Sequence, residues 1–336
     1  MSFSTFLRPA LAAAALALAA ALPAQANLLS LSDGLNLLSF GDFRVQYSDV
    51  EGRVAVGGNA SIQGYSINHK NGVPGALYSD GPALTVAGSL SYSGGSVYGN
   101  ALIGGSHSNN GQGSIVGGTA TANLGSSAAA LGFDFAAEKQ RLLALSQQLG
   151  GMGMGSGSLL WSTLSFDAAG RQLSVFDISG SQLNAWTSGI SELKINHLGD
   201  DALIVINVHG QSVSFNAGGA LGFQPGQVLF NFVDATELTL SGGIYASILA
   251  PLASTSTSWG HVNGQVVVGS WSGSVQVNDA PMTGTPPGLP APVPPLLPPM
   301  TLPDPGNDVP EPAALALALL ALAGLAWQRR RLQSRH

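Results

Sequence analysis

The chain has 336 residues, of which 12 are Lys or Arg, 18 are Asp or Glu, 45 are Gly and none is Cys. A charged content of 9% excludes a coiled coil, a hydrophobic content of 45% excludes wholesale disorder, and the net charge of −6 argues against a nucleic-acid partner. Low charge with abundant glycine and many β-branched residues predicts a β-rich fold with tight turns. Because the chain has no cysteine, no disulfide can form, and packing alone must stabilise this fold.

The N-terminus has the pattern of a secretory signal peptide. Arg8 precedes an apolar run over residues 10–22, and Ala24-Gln25-Ala26 has the small-x-small form of a signal-peptidase site, with Ala24 and Ala26 at the small positions. The sequence therefore predicts a signal peptide over residues 1–26 and an exported protein that begins at Asn27. A retained N-terminal anchor is the alternative, which the short apolar run disfavours.

Short strand-like pieces follow, most of them separated by Gly-Gly or Gly-Asn pairs. These pairs supply positive-φ corners, which β-branched residues disfavour. The pieces lie at residues 52–56, 60–62, 84–86, 89–92, 96–98, 101–103 and 114–116. Rungs this short predict the coils of a β-solenoid, and a hairpin-rich sandwich stays open because no strict repeat period emerges.

One segment, residues 128–149, breaks this pattern and predicts a helix. Its apolar side chains fall on one stripe, and Gly150-Gly151 would end it. The stripe consists of Leu131, Phe135, Leu142, Leu145 and Leu149. We expect the stripe to pack lengthwise on a sheet face, with a membrane or partner helix as the alternative, and residues 150–158 to form a flexible connector.

Longer strand signals fill residues 173–277. Two of them, at 203–206 and 266–268, are continuous apolar runs, which are typical of strands buried on both faces. The predicted strands are 173–178, 193–196, 202–208, 212–215, 228–232, 237–240, 244–250, 264–268 and 274–277. We therefore expect the core on this side of the helix.

The composition changes after Ala280. Residues 281–312 hold 13 of the 19 prolines, so residues 281–308 are predicted to form a polyproline-like stalk rather than to pair in a sheet. At about 3.1 Å per residue, such a stalk would lift the preceding domain on the order of 80 Å.

The last residues, 309–336, have three parts in fixed order. A Pro-Glu-Pro motif comes first, residues 313–327 form an uninterrupted apolar run, and a basic cluster follows. The run predicts a short membrane helix, and the arginines favour its cytoplasmic end. The residues concerned are Pro310, Glu311 and Pro312 in the motif, and Arg329, Arg330 and Arg331 in the basic stop.

This tail resembles the PEP-CTERM sorting signal of bacterial surface proteins. The resemblance implies a partner, an exosortase-type membrane enzyme, which would cut near residues 310–312 and release or re-anchor the domain. It also implies a transient inner-membrane anchor before processing and a final place at the envelope surface or in the extracellular matrix.

Residues 27–280 resemble the choice-of-anchor A family of bacterial surface proteins, which is related to ice-binding-like β-solenoids. The matching stretches are residues 49–59, with the sequence DVEGRVAVGGN, and residues 228–232, 243–251 and 262–266, on either side of one helix. The resemblance implies a right-handed β-solenoid with one helix packed alongside. It implies no defined activity; an adhesive or matrix role is the expectation.

The titratable residues do not form a recognisable catalytic or metal motif. The histidines at positions 69, 107, 197, 209 and 261 lack metal-binding spacing, and no nucleophile elbow is present. The doublet Asp200-Asp201 is more typical of a turn before a strand than of a catalytic pair. We therefore expect no catalytic residue, metal or cofactor, although carboxylates from different rungs could still meet as in polysaccharide-cleaving solenoids.

Two functions follow from these patterns. The favoured one is a non-enzymatic adhesin or biofilm component associated with extracellular polysaccharide, and the alternative is a carbohydrate-active β-helix enzyme. Trp259 and Trp271 are the candidate sugar-stacking residues, because Ser, Thr and Gly surround them. Ice binding is disfavoured, because it needs a regular surface array and the threonines at 119/121 and 255/257 are isolated pairs.

Overall fold

The computed structural model describes residues 28–29, 31, 34–72, 81–185 and 190–283, and the structural statements below concern these residues. The predicted signal peptide, the predicted membrane helix at 313–327 and nearly all of the predicted stalk lie outside them. Among the residues described, no helix combines the length and hydropathy that crossing a bilayer requires.

The strands of the N-terminal half are two to five residues long and alternate with tight corners. A 3-10 helix at His69–Gly72 follows the sixth strand. The strands are β1 (Leu35–Ser39), β2 (Phe43–Gln46), β3 (Asp49–Val50), β4 (Arg53–Val56), β5 (Ala60–Gln63), β6 (Ser66–Ile67), β7 (Leu84–Val86), β8 (Leu90–Ser93), β9 (Gly95–Tyr98), β10 (Ala101–Ile103), β11 (His107–Asn109), β12 (Gly113–Val116) and β13 (Ala120–Thr121).

Two helices connect the halves of the chain, α1 (Ala128–Leu131) and α2 (Phe135–Gly150). The prediction of one continuous helix over 128–149 is wrong at residues 132–134. Gly132 adopts a left-handed φ of 65° and ends α1. The Asp134 carboxylate then accepts hydrogen bonds from two backbone N–H groups of the next turn and begins α2.

The C-terminal half begins with a hairpin and has longer strands. A short helix, α3 (Gly180–Ala185), and a 3-10 helix at Pro225–Gln227 interrupt them. The strands are β14 (Ser158–Leu160), β15 (Thr163–Asp167), β16 (Leu173–Ser179), β17 (Glu192–Asn196), β18 (Leu203–His209), β19 (Ser212–Ala217), β20 (Ala220–Leu221), β21 (Val228–Phe232), β22 (Glu237–Ile244), β23 (Ser247–Asn263), β24 (Val266–Gly273) and β25 (Gln276–Asn278).

Twenty-one of the strands stack as three parallel faces of a solenoid, and β14, β15, β17 and β20 form a separate four-stranded sheet. Face A stacks β16, β18, β21, β23, β24, β1, β4, β7, β10 and β13. Face B stacks β19, β22, β23, β24, β2, β5, β8 and β11. Face C stacks β22, β23, β25, β3, β6, β9 and β12. The mainly β, solenoid-like fold predicted from the sequence is confirmed, whereas its handedness stays a prediction.

The coils do not stack in chain order. β24 pairs with β23 on one side and with β1 on the other, so the last complete coil packs against the first. The Tyr65 hydroxyl donates to the Val275 carbonyl at 2.8 Å across this junction. The backbone N–H of Asp279 donates to the Glu51 carboxylate there, also at 2.8 Å. Strands about 230 residues apart in sequence therefore share one interior.

Face A is buried on both sides. Its inner side lines the solenoid core, and α2 covers its outer side with Leu142, Leu145 and Leu149, none more than 4% exposed. These three leucines contact residues such as Val205 and Leu229 on the sheet's outer side. The prediction that the helical stripe packs on a sheet face is therefore confirmed for these three leucines, whereas Leu131 lies in α1.

A polar ladder runs through this helix–sheet contact. The Asn231 amide donates to the carbonyl of Ser146 in α2 and to Oδ1 of Asn207, both at 2.9 Å. The Asn207 amide in turn donates to the carbonyl of Leu149 at 2.8 Å and to Asp177 at 2.9 Å. The ladder thus joins side chains of the sheet to carbonyl groups in the last turns of α2.

Residues 150–158 were predicted to be a flexible connector, and this prediction is wrong. The Met154 N–H donates to the Val175 carbonyl, and the Asp177 N–H donates to the Gly155 carbonyl, both at 2.8 Å. The connector therefore covers the open edge of β16. Gly153 lies so close to Asp177 that a Cβ there would meet the Asp177 carboxylate.

Candidate functional site

Face B has one buried side and one exposed side. In β2 and β5, buried and exposed residues alternate strictly, as expected for a sheet with a single core side. Its exposed side carries a row of eight in-register residues, one from each strand, all exposed to solvent. The row runs Ser214, Thr239, Ser256, Ser272, Arg44, Ser61, Ser91 and Ser108. We call it the hydroxyl row.

Backbone and side-chain hydrogen bonds fix one edge of face B. The Asn59 N–H donates to Asp42, and the Ser89 N–H donates to the Asn59 side chain, at 3.0 and 2.9 Å. The Ser106 hydroxyl donates to the Ser89 hydroxyl at 3.1 Å. Each bond joins neighbouring coils, so this edge is a continuous polar ladder that holds the face in register.

Arg44 is the one cationic residue of the hydroxyl row. Its guanidinium donates to the Asp42 carboxylate at 2.8 Å, and both side chains are substantially exposed. This bond, followed by the bond from the Asn59 backbone, lowers the pKa of Asp42 below its usual value. Two shallow depressions of about 240 Å³ each include Arg44 and Ser61 among their lining residues. The centre of face B therefore combines hydroxyl groups with a self-neutralised ion pair.

The two candidate stacking tryptophans differ in their exposure to solvent. Trp259 is 61% exposed, at the corner between faces B and C. Trp271 is 1% exposed and lies in register with Phe43 inside the solenoid, so the prediction that it stacks on a ligand is wrong. Successive residues of a strand point to opposite sides, and Ser272 faces solvent, so Trp271 must face the core.

The described part of the chain has two further exposed aromatic residues. Tyr47 is 68% exposed at the same corner as Trp259, and Trp161 is 90% exposed at the turn between β14 and β15. Strand register identifies the position of Tyr47, and register is not visible in a sequence whose coils stack out of order.

The histidines lie in separate places. His197 and His209 pair with Asp167 and Asp177 at 2.9 and 3.3 Å, in partly or largely exposed positions. The bond from His197 is the main cause of a lowered pKa at Asp167. Among the residues described, no three His, Asp or Glu side chains come together as a metal site would require.

One pair of neighbouring carboxylates lies at the junction of the first and last coils. Burial raises the pKa of Asp49, which accepts a hydrogen bond from Gln276 at 3.2 Å. Glu51 forms an ion pair with Lys70 at 3.0 Å. Asp200 and Asp201 are exposed in a turn before β18, as the sequence predicted.

Comparison with known proteins supplies the family. A model of the ice-binding-like adhesive domain matches residues 29–279. The chain belongs to this family. A model of the PEP-CTERM protein-sorting motif matches residues 308–331, which include Pro310, Glu311, Pro312 and the basic stop. An ice-binding-like adhesive domain followed by this motif indicates an exported, cell-surface protein.

One solved structure is similar to the chain at low sequence identity. The crystal structure of an ice-binding protein from the Antarctic ascomycete Antarctomyces psychrotrophicus aligns with 77% of this chain and 98% of its own, at 11% identity and a TM-score of 0.32. No curated protein sequence matches the chain. The sorting residues and the signal-peptidase positions Ala24 and Ala26 lie outside the described residues, so their roles stay predictions.

Proposed function

We propose that this cell-surface protein is a non-enzymatic adhesin or biofilm component that binds extracellular polysaccharide or a similar hydroxylated surface through face B. The observation that carries the proposal is the hydroxyl row, eight exposed in-register positions that are Ser or Thr except at Arg44. All eight side chains are exposed to solvent, and α3 lies beside β19 at one end of the face.

The chemistry of the row suits a polyhydroxylated polymer. A Ser or Thr hydroxyl both donates and accepts, so it can bond to a sugar hydroxyl in either orientation. Each such bond contributes only about 0.5–1.5 kcal/mol net. Adhesion would therefore depend on repetition along the row and on many protein copies on one cell surface.

The sequence outside the described residues supports delivery to the surface. The tail would be recognised by an exosortase-type enzyme and cut near residues 310–312, after a transient anchor through residues 313–327. The stalk at residues 281–308 would then hold the domain away from the envelope. Mass spectrometry of both ends of the exported protein tests this, and an intact Met1 and His336 on the mature form would contradict it.

The raised pKa of Asp49 favours the enzyme alternative, because a carboxyl group with a raised pKa resembles a general acid. Its neighbour Glu51, however, accepts bonds from Lys70 and from the backbone of Asp279. The bond from Asp279, like the bond from Gln276 to Asp49, ties the last coil to the first. We therefore assign this pair to closure of the solenoid.

Ice binding, the property for which the solved fungal protein is named, is not proposed for this chain. The outer side of face B is not a flat threonine array: Arg44, Gln46 and Gln63 project from it, and Thr255 is buried. We expect no thermal hysteresis and no inhibition of ice recrystallisation by the purified protein.

The test uses the full chain purified in a non-ionic detergent. The double variant Ser61→Glu/Ser91→Glu adds charge to the middle of face B, and Ser114→Glu adds it to an exposed position on face C as a control. We expect only the face B variant to lose retention on matrix polysaccharide, with no reducing sugar released by any form. Release of reducing sugar that Asp49→Asn abolishes would contradict the proposal and favour the enzyme.

A further inference from the structure

Tyr47 occupies a backbone position that other coils give to glycine. Gln46, Gln63 and Ser93 are in register on face B, and the residues after them are Tyr47, Gly64 and Gly94. All three have positive φ, at 54°, 57° and 91°. A left-handed backbone is unfavourable for a side chain with a Cβ, so tyrosine is a strained choice where glycine would serve. The strain alone does not assign a function, since Trp161 has a similar φ of 53° at the turn between β14 and β15.

The strain does not serve the core, because 68% of Tyr47 is exposed. The Gln63 amide donates to the Tyr47 hydroxyl at 2.9 Å. A Cβ built at Gly64 would lie 3.0 Å from Cδ1 of Tyr47, so the ring lies over the glycine of the next coil. The ring is thus held against the corner with much of its surface in solvent, and little side-chain entropy is left to lose when a ligand stacks on it.

Trp259 lies on the same corner, two coils away. β23, which contains Trp259, pairs with β24, and β24 pairs with β2, which directly precedes Tyr47. Two strand spacings correspond to about 9.5 Å. Near the corner, the coil between them has the small residues Ser272, Gly273 and Ser274, followed by Val275, whose side chain is buried. The two exposed rings are therefore separated, along the solenoid axis, by a step of one coil whose side chains at the corner are small or buried.

The floor beside this step is polar and carries no net charge. A depression of about 240 Å³ is lined here by residues that include Gln46, Gln63 and Ser272. Arg44 also lines it, but the ion pair with Asp42 compensates its charge. A sugar ring has apolar faces and a hydroxylated edge, which match a stacking platform beside polar side chains.

We infer that Tyr47 and Trp259 are stacking platforms for an extended, neutral, β-linked polysaccharide that runs along the solenoid axis. In such a chain every second sugar presents the same face, so a repeat of two sugars fits two platforms two coils apart. This inference rests on the proposed function and deepens it by naming the ligand class and two residues that select it.

Affinity electrophoresis of the full chain in non-ionic detergent tests the inference. The gels contain hydroxyethyl cellulose, a neutral β-linked glucan, or dextran, a flexible α-linked glucan, or alginate, an anionic polyuronate. We expect retardation by hydroxyethyl cellulose above all, and about tenfold weaker retardation for Tyr47→Gly and for Trp259→Ala. Trp161→Ala, which removes the most exposed tryptophan described at a different turn, should migrate like the parent.

Tyr47→Gly distinguishes binding from folding. It restores the residue type found at this corner in neighbouring coils, so we expect its unfolding midpoint to stay within a few degrees of the parent while retardation falls. Tyr47→Phe keeps the ring and should retain most of the retardation. Parent-like retardation of Tyr47→Gly and Trp259→Ala, or stronger retardation by dextran or alginate, would overturn the inference. If the face B variant Ser61→Glu/Ser91→Glu still loses adhesion in that case, the proposed function survives.

Discussion

Faces A and B are built from the same coils but are covered differently. In β18 on face A, six of seven residues are buried, because α2 lies over the outer side of the sheet. In β5 on face B, buried and exposed residues alternate, and the exposed ones are Ser61 and Gln63. Burial on both sides makes face A the stabilising side of the domain, whereas exposure leaves face B available for contact.

The difference in stability between the two faces is tested most sharply by placing the same charge on each of them. Leu142→Asp would bury an unpaired carboxylate between α2 and face A and should cost several kcal/mol. Ser91→Asp changes an exposed position of the hydroxyl row and should change stability by less than about 0.5 kcal/mol. Urea unfolding measures the stability of both variants. Equal midpoints would show that the apolar stripe of α2 does not stabilise the fold.

The polar ladder under α2 should give the next largest effect. Asn231→Ala leaves the Ser146 carbonyl and Oδ1 of Asn207 without this donor in a buried site, which should cost about 1–3 kcal/mol. Gln46→Ala removes an amide from the exposed side of face B and should cost little. If Asn231→Ala leaves the free energy of unfolding unchanged, water must replace the hydrogen bonds of the ladder.

The connector along β16 should give a smaller effect. Gly153→Ala places a Cβ against the Asp177 carboxylate, which must move away from Asn207, at a cost of about 1–2 kcal/mol. Gly155→Ala meets only a ring carbon of Phe176 at 3.9 Å and should be tolerated. Equal thermal midpoints for the two variants would show that this segment does not pack tightly against β16.

Asp49 should give the smallest effect, visible only as a pH dependence. Its folded-state pKa lies above the unfolded value of 3.8, so the folded protein binds more protons at this group between the two values. Stability from this group therefore falls as the pH rises through the folded pKa. Asp49→Asn should flatten that part of the stability–pH curve, and an unchanged slope would contradict the assignment.

Local patterns predicted many of the strands, but β1, β2 and β15 were not among them. The strands β7, β10 and β21 have the predicted bounds, because short apolar runs between corner residues leave little choice of register. The break at residues 132–134 has a local signal, because Gly132 is followed by the N-capping Asp134. The stacking order was not predictable, since the pairing of β24 with β1 depends on long-range packing without a local signal.

The alternation of side chains along a strand separates the correct and incorrect site predictions. Trp271 has small polar neighbours, yet in a strand those neighbours indicate that the tryptophan points the other way. Trp259 is exposed because it lies beside the corner at Gly260, where this alternation ends. The hydroxyl row needed the register between coils, which only the three-dimensional structure provides.

The central claim, that face B is the contact surface, can be tested within one molecule. The chain has no cysteine, so Ser61→Cys on face B and Ser114→Cys on face C each create a single labelling site at an exposed position. Adhesion of each full-length variant to matrix polysaccharide is measured before and after coupling a bulky maleimide–polyethylene glycol. We predict that labelling at position 61 abolishes adhesion and labelling at position 114 leaves it intact. Adhesion that survives the label at 61, or is lost only with the label at 114, would contradict the account.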